Sequence, residues 1–176
     1  IRENKHVLVE AGVGIGKSFA YIVPILYYSK IYHRPVVIAT STIALQEQLT
    51  HDIEKIMDML NYEVEVLVAK GQNHFLCKKR FDDCFTKEFI EESVEHQIIN
   101  DAICKFGYEK ADWNVAVPNE IWNQINVKEY KAQFCKDKCS YCGCCYYYNL
   151  RQKMMSTHGI IVCNQDLLAV NMHKKA

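Results

Sequence analysis

Ala11-Gly12-Val13-Gly14-Ile15-Gly16-Lys17-Ser18 constrains this chain more than any other stretch. A small residue, four others and then Gly-Lys-Ser is the pattern of a phosphate-binding loop. Such a loop works in one context, where an apolar strand runs into the glycines and a helix opens directly after them. Both flanks are present. Val7-Leu8-Val9-Glu10 reads as a short buried strand, and a helical pattern runs from about Lys17 to Tyr32, with Phe19, Ile22, Val23, Leu26 and Tyr27 as its apolar set. Glycines let successive backbone N–H groups turn toward phosphate oxygens, and the helix adds its positive end. Lys17 would reach the β and γ phosphates, and the Ser18 hydroxyl would bind Mg2+. Residues Ala11, Gly12, Val13, Gly14, Ile15, Gly16, Lys17 and Ser18 therefore predict a nucleoside triphosphate cradle, with Lys17 and Ser18 as its catalytic pair.

The next segments continue the alternation. Val36-Val37-Ile38-Ala39 is an apolar strand, Thr40-Ser41-Thr42 can cap a helix running to about Leu60, and Val64 to Val68 reads as a third strand. Strand and helix in turn imply a parallel sheet with covering helices. Pro24 lies inside the first helix and removes one backbone donor, so a kink is expected there. From Lys70 to about Arg151 the alternation stops. Glu88 to Phe106 has helical period, and Lys131 to Tyr148 is rich in cysteine and tyrosine. Strand character resumes at Gly159 to Cys163, and Asn164 to Met172 reads as a helix. The expected organisation is an α/β domain over residues 1–70 and 152–176, interrupted by a mainly helical insert over 71–151. The chain opens almost at once on a strand and reads as a piece of a longer protein.

The insert carries the second chemical signal. Five of the nine cysteines fall between Cys135 and Cys145, and Cys77 follows the third strand closely. The chain has no signal peptide and no apolar run long enough to span a bilayer, so the expected address is the cytoplasm and membranes are not an expected partner. In that reducing compartment a cysteine cluster points to metal ligation rather than disulfides. Two ligand sets compete on the residues alone. An iron–sulfur cluster would use Cys77, Cys135, Cys139 and Cys145, with Cys142 and Cys144 as alternates, whereas zinc would use the Cys139-Ser-Tyr-Cys142 knuckle and two more cysteines. Cys84, Cys104 and Cys163 read as small buried hydrophobes.

Charge is balanced, with 21 basic and 21 acidic residues, so any nucleic-acid contact must rest on a local patch. One lies beside the cysteines: Lys78, Lys79 and Arg80, joined by lysines further on and by Tyr141, Tyr146, Tyr147 and Tyr148. Cations neutralise phosphates and aromatic faces stack on unpaired bases.

These stretches resemble the DinG/XPD-type iron–sulfur helicases of superfamily two, and within them the bacterial DinG branch. Val9 to Ser18 resembles their motif I, and Val36 to Leu49 their motif Ia. Lys70 to Cys77 is similar to the stretch that delivers the first cluster cysteine, and Cys145 to Arg151 to the one that carries the last. Ile160 to Leu168 is similar to the strand and turn that re-enter the motor domain. The resemblance implies a partial P-loop RecA-like motor domain with an inserted, mainly helical Fe–S domain. It implies an ATP-dependent DNA helicase of five-prime to three-prime polarity that acts on single-stranded or forked DNA, with a place in DNA repair. Its cofactors would be ATP, Mg2+ and a 4Fe–4S cluster. Cys139 and Cys145 reproduce the family's spacing of the last two ligands. Thr40 and Thr42 fall on motif Ia positions that touch the DNA backbone, and Lys78, Lys79, Arg80 and Tyr147 are the expected DNA contacts near the cluster. Val13 and Ile15 stand where small hydroxyl residues are usual, and Gln72 and His74 depart from the usual Arg and Tyr. The 176 residues contain no Asp-Glu-x-His box and no second RecA-like lobe, so this stretch alone is expected not to turn ATP over.

Overall fold

The computed structural model describes residues 5–12, 14, 16–86 and 93–173. They fall into two compact units, Ile1–Val68 with Thr157–Ala176, and Ala69–Ser156.

The first unit is a small three-stranded sheet with helices. Its elements are α1 (Lys17–Tyr32), β1 (Val36–Thr40), α2 (Ile43–Leu60), β2 (Val66–Ala69), β3 (Ile160–Asn164) and α8 (Gln165–His173). The strand order is β1-β3-β2, so the central strand is the one that follows the insert in sequence. β1 and β3 run parallel, with Val36 opposite Ile160 and Thr40 opposite Asn164. The Ile160 amide donates to the Glu65 carbonyl over 2.8 Å and ties β3 to the other edge.

The core explains the pattern. Ile22 and Leu26 of α1, Leu49, Ile53 and Ile56 of α2, and Ile160 and Val162 of β3 form one buried cluster. Their spacing on each helix is three, four or seven residues, the period that gathers side chains on one face. Gln46 is buried among them, and its side-chain amide donates to the Val162 carbonyl over 2.9 Å, pinning α2 to β3. The Thr42 hydroxyl accepts from the Leu45 amide at 3.2 Å, the cap that starts α2. Asn164 does the same for α8, its side-chain oxygen accepting from Leu167 at 2.8 Å.

One expectation fails here. Val7-Leu8-Val9-Glu10 is not a strand, and Leu8 is 99% exposed. A strand exists only through its ladder, and the described ladder consists of β1, β3 and β2.

The second unit is helical: α3 (Lys78–Thr86), α4 (Val94–Phe106), α5 (Asn119–Ile125), α6 (Ala132–Lys138) and α7 (Tyr146–Ser156), with short 3-10 turns between some of them. The helix expected from Glu88 begins at Val94, where the Ser93 hydroxyl caps it by accepting from His96. Residues 87–92, including Phe89 and Ile90 of the expected apolar set, lie outside the described residues. Phe81, Ile99 and Ile125 anchor one core, joined by Trp113 and Trp122, whose rings meet edge-on at 5.6 Å. Phe75, Val127 and Tyr147 form a second, smaller cluster. Lys70 and Glu109 form a buried ion pair in this unit.

Candidate functional site

The phosphate loop is built by its glycines. Gly14 and Gly16 have φ of 78° and 79°, the left-handed region that only glycine enters without strain. Gly16 is also the residue before α1, and no side chain caps the helix. The first-turn amides of α1 therefore face outward for an anion, and no acidic residue stands in that turn to compete. The Lys17 ammonium donates to the Ala11 carbonyl at 3.2 Å, folding the lysine back over the loop it serves. Val13 and Ile15 lie outside the described residues. A cavity of about 240 Å³ beside this turn is lined by Ser18, Tyr21, Thr40, Ser41, Gln48 and Asp52, among others. The end of β1 thus brings Thr40 to the same hollow as the loop serine. The Thr40 hydroxyl donates to the Thr42 carbonyl at 2.9 Å, so both expected motif Ia threonines spend their hydroxyls on local backbone.

The cysteines of the second unit are all free thiols. Cys77 is held from both sides. The Leu76 amide donates to Tyr108, the Cys77 amide donates to Ile125, and the Val127 amide donates to Phe75, each at 2.8 or 2.9 Å. The Cys77 carbonyl then accepts from Phe81 and starts α3. Cys135 sits in α6, and Cys139 ends that helix. Cys145 precedes α7 and packs, with Cys77, against the cluster of Phe75, Val127 and Tyr147. Distant stretches of sequence therefore meet. Burial pushes the Cys145 thiol up; the Tyr148 amide opposes this, and Cys77, Cys135 and Cys139 push the same way as burial. The Cys135 thiol is raised by the same burial, with Cys139, Cys77 and Cys142 adding to it. Among the described residues no three His, Cys, Asp or Glu side chains are gathered closely enough to hold a metal ion. Cys142 and Cys144 lie in a 3-10 turn between Cys139 and Cys145, and Cys144 is exposed.

The expected DNA contacts fare unevenly. Lys78 pairs with Asp82 at 2.7 Å and Lys79 with Asp83 at 2.8 Å, each along α3. The Asp83 hydrogen bond raises the Lys79 pKa. Asp82 also accepts from the Tyr141 hydroxyl. Among the described residues the buried Nε of Arg80 has no hydrogen-bond partner. Tyr147 is a correction: it is 5% exposed, with its ring against Phe75 at 5.1 Å and Tyr130 at 5.2 Å. A ring covered in this way has no free face for a base. Tyr146, its neighbour, is well exposed.

Two residues with structural roles escaped the sequence reading. The Gln72 side chain donates to the Lys128 carbonyl and accepts from the Tyr130 amide, bracing the segment that leads to α6. Its departure from the family's usual arginine was the only signal. Glu109, the ion-pair partner of Lys70, carried none.

Residues 1–87 match the family described as DEAD/DEAH box helicase. Across nearly the whole chain, 98%, it is 27% identical to the ATP-dependent DNA helicase YoaA of Escherichia coli. These matches support a DinG-type helicase fragment. The ATP-dependent helicase DinG of Mycobacterium tuberculosis is 26% identical over 96% of the chain. The 3'-5' exonuclease DinG of Bacillus subtilis is 36% identical over 86 residues, 48% of the chain and 9% of that protein. The chain spans 27% of YoaA and 28% of the mycobacterial DinG. The helicase match over residues 1–87 implies a P-loop RecA-like fold, and the first unit is mixed α/β with a small parallel sheet, without a strand running into the loop. Among the described residues no helix is long and apolar enough to cross a membrane.

Proposed function

We propose that this chain is the nucleotide-gripping part of an ATP-dependent DNA helicase that moves five-prime to three-prime on single-stranded DNA and opens duplexes, and that its helical unit holds a 4Fe–4S cluster. The observation that carries the motor reading is the loop itself. Two left-handed glycines, an uncapped helix start and Lys17 stand together, with Ser18 lining the adjoining cavity. Lys17 and the free amides of α1 would take the β and γ phosphates of ATP, and Ser18 would take Mg2+. The names of the relatives support ATP and DNA as partners.

Cys77, Cys135, Cys139 and Cys145 would hold the cluster. Their support is the packing of Cys77 and Cys145 against one apolar cluster and the electrostatic influence of these cysteines on Cys135 and Cys145. When bound, the cluster supplies iron–thiolate bonds that cross-link the strand-like entry to α3 with α6 and the start of α7. Small helical units gain stability from such an anchor. Lys78, Lys79 and Arg80, on the first turn of α3, would lie along the DNA backbone. Thr40 and Thr42 would touch the DNA backbone, chiefly through backbone groups.

The 176 residues contain no Asp-Glu-x-His box to orient an attacking water, so the chain alone would bind ATP weakly and not turn it over. Coupling to movement would need a second RecA-like lobe.

Lys17→Ala tests the motor reading. A charge-assisted hydrogen bond is worth about 1.5–3 kcal/mol, so ATP affinity of the chain should fall roughly tenfold or more, measured with a fluorescent ATP analogue. A longer helicase containing this chain and carrying Lys17→Ala that still unwinds forked DNA with ATP would overturn it.

A further inference from the structure

The hollow beside the phosphate loop holds a charge that nucleotide binding has so far left unused. Its lining includes Ser18 and Tyr21 of α1, Thr40 at the end of β1, and Leu45 and Gln48 of α2, all of them neutral. Asp52 is the acidic side chain of that lining, and it is half-buried. Among the described residues, neither the Asp52 carboxylate nor the Ser18 hydroxyl has a hydrogen-bond or ion-pair partner.

The carboxylate is carried on a fixed backbone. Leu49 and Ile53 of α2 are buried in the core they share with Ile22 and Leu26 of α1. Gln46, further up the same helix, is bonded to the Val162 carbonyl. Gln48 and Asp52 are four residues apart and lie on one face of α2. A carboxylate held half out of water with no partner of its own favours a cation from solution. Mg2+ releases its waters reluctantly and is held by one or two carboxylates together with substrate phosphates. The hollow of about 240 Å³ that Ser18 and Asp52 both line has room for an ion that keeps several waters. A triphosphate without Mg2+, in contrast, is repelled by Asp52.

We propose that Asp52 is a positioning residue for the Mg2+ that Ser18 takes, accepting hydrogen bonds from the waters on the ion, so that the loop selects the Mg2+ complex of ATP over free ATP. The inference rests on the nucleotide reading given above.

The experiment measures the affinity of the 176-residue chain for a fluorescent ATP analogue in excess Mg2+ and again in EDTA, and takes the ratio. Asp52→Asn should cut the gain that Mg2+ brings by roughly fivefold, with weaker binding in Mg2+ and tighter binding in EDTA. Asp52→Glu should keep most of the gain. Asp58→Asn, the same change of charge on α2 but outside the lining of the hollow, should keep all of it. A merely structural role for Asp52 would shift both affinities together and leave their ratio alone. Far-UV circular dichroism checks the fold of each variant, and Asp52→Ser replaces Asp52→Asn if the latter does not fold. An unchanged ratio in Asp52→Asn, in a chain whose binding is still weakened by Lys17→Ala, overturns the inference and leaves the nucleotide reading intact. A wild type that binds no analogue, with or without Mg2+, overturns both.

Discussion

Gly159→Ala should destabilise the sheet unit by roughly 2–4 kcal/mol. Gly159 lies one residue before β3, and a Cβ built there meets the Glu65 carbonyl oxygen at 2.0 Å and its carbon at 2.8 Å. Ordinary contact begins at 3.4 Å, and the obstacle is backbone, which no rotamer change can move. Relief requires the start of β3 to part from the residue that leads into β2. The bond from the Ile160 amide to the Glu65 carbonyl, now 2.8 Å, would then stretch beyond its useful range. Overpacking of this kind costs about 1–3 kcal/mol, and the lost hydrogen bond adds about 1 kcal/mol. At about 2–4 °C per kcal/mol for a chain of this size, the midpoint of thermal unfolding should fall by roughly 4–16 °C. Circular dichroism at the helical band is the assay. Gly143→Ala is the control, because a Cβ there meets nothing within 4 Å, and it should stay within about 0.5 kcal/mol of wild type. A Gly159→Ala chain that melts with the control refutes the claim that β2 and β3 are held in this close pairing.

Thr42→Ala should cost about 1 kcal/mol by removing the cap that accepts from Leu45, and Thr42→Ser should restore most of it, both read from urea denaturation. The raised thiols of Cys135 and Cys145 predict a pH effect in the metal-free chain. Burial favours their neutral forms in the folded state, so the stability they lend is fully present below the ordinary thiol value of 9.0 and is lost as pH rises through their folded values. Urea midpoints of the metal-free chain should therefore decline above that pH, and the decline should be smaller in Cys135→Ser with Cys145→Ser.

Much of the sheet unit was legible because its signals are local. Glycines before Lys17 dictate a left-handed turn, Thr42 dictates a cap, and the spacing of Ile22, Leu26, Ile53 and Ile56 dictates two buried helix faces. Val7 to Glu10 misled because an apolar run specifies only a wish to be covered, and the pairing that makes a strand is supplied from elsewhere. The insert was harder to read. Phe75 opposite Glu109 and Leu76 opposite Asn126 are single bridges between segments more than 30 residues apart, which no window of sequence reveals. Tyr147 could have been sorted correctly. Tyr147, Leu150, Arg151 and Met154 follow the spacing of one helix face, and all four are at least partly buried, whereas Tyr146 is exposed. Composition drew attention to three tyrosines where periodicity would have separated them.

The position of β3 has a consequence for synthesis. The middle of the sheet leaves the ribosome roughly ninety residues after the edge strand β2, a delay of about 5–20 s at ordinary elongation rates. Through that interval β1 and β2 have no neighbour to bridge them, and Ile22, Leu26, Ile53 and Ile56 lack the β3 side chains that complete their cover. The nascent chain must wait for the helical insert to be made before its sheet can close.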